Sequence, residues 1–472
     1  MTSNYRIARR ILLAAFCFQS ALVTNACQNS KDSRDSLHSS QAEQTDSYLK
    51  ADPKSSAKNV ILFIGDGMGV STVTAARIFD GQSQGMKGEE HSLAFEDFDN
   101  VALVKTYNTN AQVPDSAGTA TAILSGYKTN IGAVNVPHDL LDARSADACN
   151  PSALPPTLSD IAIGAGKSVG IISTARLTHA TPASMYGHAP SRDLEADKDI
   201  KGPFVGCTSL AQQLVDSNAE VIIGGGHKEF TDEQIDALKT SHIYVSNKDE
   251  LMSAATGKSL RGFFSRSHMS FEADRGKTEE PSLADMTRIA IDRLSSKENG
   301  YVLMVEAGRV DHAHHGSNAY RAMRDMQALN EAVKVAKEKT GNDTLILVTA
   351  DHSHVFTISG YPVRGNPILG LVKGFDPEKR EINTTLDQDG KPYTTLGYYN
   401  GPNVREADSP ALTDNMVQDP DFQQQTAVNL NSETHAGEDV PLYARGPGAD
   451  GVKGVMEQNE IHGVIVRALG IK

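Results

Sequence analysis

Residues 301–316 read YVLMVEAGRVDHAHHG and place Glu306, Asp311, His312, His314 and His315 directly after the apolar run 301–305. Carboxylate oxygens and imidazole nitrogens beside a strand end form a donor set for a divalent metal. Asp311 and His315 stand four apart, so one helical turn presents both on the same face. The plain alternative is a solvated loop that holds three of the chain's fifteen histidines. A complete site needs donors from elsewhere in the chain.

Two further apolar runs also end in acids. Residues 59–64, NVILFI, lead into Gly65-Asp66-Gly67-Met68-Gly69, and residues 344–349, TLILVT, lead into Ala350-Asp351-His352-Ser353-His354. The first turn is not a dinucleotide fingerprint, because its glycines are spaced G-x-G-x-G and Asp66 would face a bound pyrophosphate. A carboxylate at a strand's end, with glycines clearing space around it, suits a metal ligand better. Residues 113–122, VPDSAGTATA, lead into a helix. Begun at Asp115 or Ser116, that helix aims free amides and its positive dipole end at an anion beside the Ser116 hydroxyl. A simple N-cap at Asp115 or Ser116 is the competing reading, and both roles can coexist. Residues 164–168, GAGKS, end like a phosphate-binding loop, but Ile161 stands where that pattern needs glycine. Residues 174–183 and Arg192 add a polar loop with Arg176, His179 and Arg192.

The elements that must position these groups follow from periodicity. Strands are expected at 59–64, 168–173, 220–223, 301–305, 344–349 and 440–444. Helices are expected from about residue 70, at 158–163, 209–218, 282–296, 318–340 and 459–469, with polar helices running on to about 255. Repeated strand–helix units predict an α/β fold: a central, mostly parallel β-sheet flanked by helices on both faces. Ligand sites in such sheets lie at the carboxyl ends of the strands, so Asp66, Glu306 and Asp351 are expected in one crevice. Residues 353–434 are polar and turn-rich and read as an excursion over the surface. No internal repeats are evident.

The formal net charge of −14 argues against nonspecific nucleic-acid binding, which relies on Lys and Arg meeting phosphates. It leaves room for one small anion in a metal-rich pocket, because bound cations invert the local field. Residues 1–27 read as an export signal, with Arg6, Arg9 and Arg10 before the apolar run 11–23. Ala26-Cys27 fits lipoprotein processing with a lipidated Cys27 as membrane tether, although Thr24 stands where an aliphatic residue is usual. Ordinary cleavage near Ala26 is the alternative. Residues 28–57 are a polar, flexible tether, and the ordered domain is expected over 58–472. Export makes a Cys149–Cys207 disulfide the default, with two buried free thiols as the alternative.

Together, GDGMG (65–69), PDSAGTATA (114–122), RLTHATPAS (176–184), VEAGRVDHAHHG (305–316), TADHSHVF (349–356) and THAGED (434–439) resemble the alkaline phosphatases. The resemblance runs from about residue 59 to the C-terminus, and His312, TADHSHVF and THAGEDV look more like the animal enzymes than the enteric ones. It implies hydrolysis of phosphate monoesters at alkaline pH through a phosphoserine, with two Zn2+ and one Mg2+ per chain. Asp311, His315 and His435 would hold the first zinc. Asp66, Asp351 and His352 would hold the second, with Ser116 as both nucleophile and fourth ligand. Asp66, Thr181 and Glu306 would hold magnesium. Arg192 aligns with the phosphate-binding arginine, whereas Arg176 has no phosphate contact by this alignment. His179 and His312 would sit close by without ligating, Asp115 would support the nucleophile, and His314 is left without a chemical role. Ser265 stands where the family's calcium site needs an acid, although Glu280 matches, so no calcium is expected. The resemblance also implies a homodimer, with 353–434 covering the crown near the active-site rim. The leader implies export to the periplasm, to a lipid anchor at the cell envelope, or to the extracellular space. Phosphodiesterases and sulfatases of the same superfamily are the alternative. They commonly use threonine or formylglycine and lack the magnesium site, so Ser116, Thr181 and Glu306 disfavour them.

Overall fold

All seven residues of β1 (Asn59–Gly65) are buried in the computed structural model, which describes residues 56–150, 153–406 and 408–471. The leader and almost all of the tether lie outside the described residues. Ala57 is already buried, and its N–H donates to Ala468 O at 2.5 Å.

The ten-stranded sheet is built on three continuous apolar strands at its centre. These are β1, β7 (Tyr301–Ala307) and β8 (Thr344–Ala350), each buried along its whole length. A strand that is apolar on both faces is stable only when both faces are covered. Outward from β7 lie β3 (Ser168–Arg176), β4 (Val221–Gly225), β6 (Leu260–Phe263) and β5 (Ile243–Val245). Outward from β8 lie β16 (Val440–Arg445), β2 (Asn100–Lys105) and β17 (Gly454–Glu457). β16 runs antiparallel to both of its neighbours, while the other pairs in this sheet are parallel.

Flanking helices include α1 (Val70–Ser83), α2 (Ser116–Ser125), α3 (Leu158–Gly164), α4 (Ala180–Ala183), α5 (Leu210–Val215) and α6 (Asp232–Ser241). After these come α7 (Lys248–Met252), α8 (Leu283–Ser295), α9 (Arg309–His315), α10 (Ala319–Lys339) and α11 (Glu460–Ala468). The long helix α10 packs on β1, β7 and α8, and α11 packs on α2. Among the described residues, no helix is long and apolar enough to cross a membrane. A disulfide joins Cys149 and Cys207, whose Cα atoms are 4.6 Å apart.

The stretch expected as polar helices running on to about 255 is instead α6, β5 and α7, followed by β6. β5 is only three residues long, too short for a period to register. β6 carries Arg261, which is fully buried because its guanidinium donates to the Ser217 and Ala219 carbonyls at 2.9 Å each. Within 353–434 the chain forms β10 (Phe356–Ile358), β13 (Leu396–Gly401) and β14 (Thr426–Asn429) in one small sheet. β11 (Lys373–Asp376) and β12 (Glu381–Thr384) form a hairpin. The start of this excursion is not on the surface, because Ser353 and His354 are buried. β9 (Ser353–His354) pairs with β15 (His435–Ala436) beside the central strands.

Candidate active site and metal centre

Register places the strand-end acids together. Gly65 pairs with Ala350, so Asp66 and Asp351 leave adjacent strands at the same level. Glu306 pairs with Ile64 on one side and Ser173 on the other. All three carboxylates are fully buried. The turn after β1 makes room for the residues that follow Asp351: Gly67 has φ +72°, and a Cβ there would lie 2.3 Å from His354 Nε2. A Cβ on Gly69 would lie 2.1 Å from Ser353 Oγ.

One cluster joins Asp311, His315 and His435. His315 Nε2 and His435 Nε2 are each 3.3 Å from Asp311 Oδ1 and 3.1 Å from each other. The other ring nitrogens donate to backbone carbonyls, His315 Nδ1 to Glu433 O at 2.7 Å and His435 Nδ1 to Pro114 O at 2.8 Å. Those bonds fix the protons on Nδ1 and leave two lone pairs facing a carboxylate oxygen. Three acceptors at such distances need a cation between them. Their spacing matches the edge of a zinc tetrahedron, about 3.3 Å for Zn–N and Zn–O bonds near 2.05 Å.

A second cluster lies one step deeper. His352 Nε2 is 3.5 Å from Asp66 Oδ1, 3.3 Å from Asp351 Oδ2 and 3.0 Å from Ser116 Oγ. A third brings donor atoms of Asp66, His179 and Glu306 within 4.8 Å of one another. Both Asp66 oxygens, Glu306 Oε1, Asp351 Oδ2 and the Thr181 hydroxyl are buried without a hydrogen-bond partner among the described residues. Burial, reinforced by Asp351, Asp311 and Glu306, pushes the Asp66 carboxyl well above the usual range. Burial likewise raises Glu306 to about 7, against a hydrogen bond from Ser173, and raises Asp351 despite the Gly67 amide. Orphaned carboxylate oxygens packed this closely are the donor set of a polynuclear cation site. The residues present therefore fit divalent metals.

Ser116 opens α2, and the Asp115 side chain caps that helix by accepting from Gly118 N at 3.1 Å. Asp115 Oδ1 also accepts from Gly132 N at 3.0 Å, while Oδ2 pairs with Arg192 Nη1 at 3.0 Å. Burial opposes its ionisation, but Arg192 and the two glycine amides hold the Asp115 carboxyl below its ordinary value. Arg192 Nη2 donates to His179 Nε2 at 2.9 Å. Burial, with Arg192 and His312 nearby, keeps His179 neutral and able to accept that bond. His179 and His312 rings are 5.6 Å apart. Arg176 is engaged elsewhere, with Glu195, Glu229 and His268. His314 is buried between Thr72 Oγ1 at 3.1 Å and the Tyr398 hydroxyl at 2.8 Å, a packing role.

Three residues at the site escaped the sequence reading. His354 Nε2 lies 2.9 Å from Asp311 Oδ1, and its Nδ1 lies 2.6 Å from Glu433 Oε2. Burial alone would lower its pKa, but the Glu433 and Asp311 carboxylates raise it to about 10. The spacing of His352 and His354, two apart beyond a strand, was a usable signal, because alternate strand residues share a face. Glu433 precedes His435 by two and carried the same signal. His268, whose ring is 4.1 Å from that of His312, had none.

The sequence profile of the Alkaline phosphatase family matches residues 57–471. The tissue-nonspecific alkaline phosphatase of Gallus gallus is 42% identical over 446 residues, covering 86% of this chain and 83% of that protein. The alkaline phosphatase of Gadus morhua is 40% identical over 447 residues, covering 86% and 91%. In fold, the chain is similar to the alkaline phosphatase of Thermus thermophilus, with TM-score 0.66, 22% identity and coverage of 90% and 93%. It is also similar to that of the Antarctic bacterium TAB5, with TM-score 0.61, 22% identity and coverage of 89% and 99%.

Proposed function

Because this chain belongs to the alkaline phosphatase family, we propose that it hydrolyses phosphate monoesters at alkaline pH through a phosphoserine on Ser116, with two zinc ions and one magnesium ion bound. The observation that carries this reading is Ser116 Oγ at the head of α2, 3.0 Å from His352 Nε2 and beside a carboxylate cap that pins Arg192.

Asp311, His315 and His435 hold the first zinc. Asp66, Asp351, His352 and Ser116 hold the second, and Asp66, Thr181 and Glu306 hold magnesium. The all-oxygen set suits magnesium, and the imidazole-bearing sets suit zinc. When bound, these ions supply the Lewis acidity that lowers the pKa of a hydroxyl or water and neutralises a leaving oxygen.

The chain's own groups do the rest. The Arg192 fork takes two nonbridging phosphate oxygens, oriented by Asp115 and His179. Free amides at the start of α2 add positive potential beside the same phosphate. Ser116 Oγ, deprotonated, attacks phosphorus in line; the new O–P bond forms as the bond to the alcohol oxygen breaks. Water then attacks the phosphoserine, releasing inorganic phosphate and restoring Ser116. His179 and His312 flank this phosphate without ligating a metal.

The leader is cleaved before a lipidated Cys27, which tethers the domain through residues 28–57 in the periplasm or at the cell envelope. Support comes from the Ala26-Cys27 junction and from the disulfide, which needs an oxidising compartment. Failure of labelled palmitate to enter the protein, or equal labelling of Cys27→Ser, would remove the lipid. The family favours a homodimer, which sedimentation would test. The activity itself is tested with p-nitrophenyl phosphate. Turnover at alkaline pH should vanish on chelation and return with zinc plus magnesium, and an inactive zinc-reconstituted protein would overturn the reading.

A further inference from the structure

We propose that Glu433 is a positioning residue that assembles the Asp311–His315–His435 cluster, acting through His354 and through its own backbone. Its carboxylate is fully buried and doubly engaged: Oε2 meets His354 Nδ1 at 2.6 Å, and Oε1 accepts from Val355 N at 2.8 Å. His354 passes this anchor on, because its Nε2 meets Asp311 Oδ1 at 2.9 Å. Lying between two carboxylates and within hydrogen-bond distance of each, the imidazole bridges them and sets the direction of Asp311.

The Glu433 main chain holds a second member of the cluster. Its carbonyl accepts from His315 Nδ1 at 2.7 Å, and its N–H donates to His315 O at 3.0 Å. The third member follows two residues later, where His435 pairs with His354 across the β15–β9 ladder. Three segments that are distant in sequence, ending at His315, Val355 and His435, therefore meet at one residue.

The need for such an anchor is electrostatic. Two imidazole lone pairs and a carboxylate oxygen, each within 3.3 Å of the others, have no attraction of their own to keep them converged. Buried carboxylates behind metal-bound groups fix ligand orientation and raise ligand basicity, and losing one typically costs about 10- to 100-fold in metal affinity. Glu433 differs from an ordinary partner of this kind because it controls an acid through an intervening histidine and a second histidine directly.

This inference rests on the zinc reading of the cluster, and zinc itself is the probe. Wild type and Glu433→Gln are titrated against a chromophoric zinc chelator, with metal-free thermal stability measured in parallel. Wild type should retain two tight zinc sites. In Glu433→Gln one site should weaken by about 10- to 100-fold while the other is unchanged, and excess zinc should restore turnover. If Glu433→Gln does not fold, His354→Gln carries the test with the same single-site loss expected. Two unchanged affinities, or equal weakening of both sites, would overturn the role of Glu433 and leave the zinc reading standing. A wild type that holds no zinc would overturn both.

Discussion

Arg192 Nη1 lies 3.0 Å from Asp115 Oδ2, while the other oxygen of the same carboxylate caps α2 at Gly118 N. One side chain thus fixes both the helix that carries Ser116 and the guanidinium that faces it. The proposed nucleophile and the proposed anion-binding fork are registered against each other within a single carboxylate.

Arg192→Ala removes charged hydrogen bonds to phosphate, which are expected to contribute about 2–4 kcal/mol. The catalytic efficiency kcat/KM should fall roughly 30- to 1000-fold, with weaker inhibition by inorganic phosphate. Unchanged phosphate inhibition would show that Arg192 does not touch the anion.

Asp115→Asn keeps a competent helix cap but loses the charge that pairs with Arg192. Helix content and thermal stability should hold within about 1–2 kcal/mol, while KM and the inhibition constant for phosphate both rise. A change in stability with constant phosphate affinity would limit Asp115 to capping.

The central strands could be read from the chain because β1, β7 and β8 are uninterrupted apolar runs, and the acids that end them stand out by contrast. β2 was less visible, since its alternation places Val101 and Leu103 in solvent. β6 was hidden by Arg261, whose burial depends on carbonyls about forty residues earlier. The same distinction governs the site. Asp66, Glu306 and Asp351 each stand at the end of an apolar run, which the local sequence displays. His354 and Glu433 act through each other across 79 residues, which no local period reports.

Removing the metals should expose a contribution of Glu306 to stability that falls as pH rises. Glu306 is raised in the folded protein to about 7 from an ordinary 4.5, so the folded state binds this proton more tightly than the unfolded chain. The contribution is present at low pH and is lost as pH climbs from about 4.5 through about 7. Thermal melts of chelated wild type and chelated Glu306→Gln should therefore diverge across that window, the wild type losing Tm relative to Glu306→Gln as pH rises. Zinc with magnesium should abolish the divergence. A Tm difference between the two that stays flat with pH would contradict Glu306 as the source.

Opening the Cys149–Cys207 disulfide, with a sequence separation of 58 residues, should cost about 4 kcal/mol through the entropy of the unfolded chain. The paired Cys149→Ser and Cys207→Ser variant should melt lower yet keep its metal content and kcat, because neither residue lies among the metal-site side chains. Loss of bound zinc in that variant would instead tie the bridge to the site.

Acid-quenched single turnover with a radiolabelled phosphate monoester asks whether Ser116 carries the phosphoryl group. Metal-loaded wild type should yield covalent phosphate on the peptide containing Ser116, and Ser116→Ala should carry none and lose more than about 1000-fold in turnover, about 4 kcal/mol. Label on another residue, or full turnover by Ser116→Ala, would rule out Ser116 as the nucleophile.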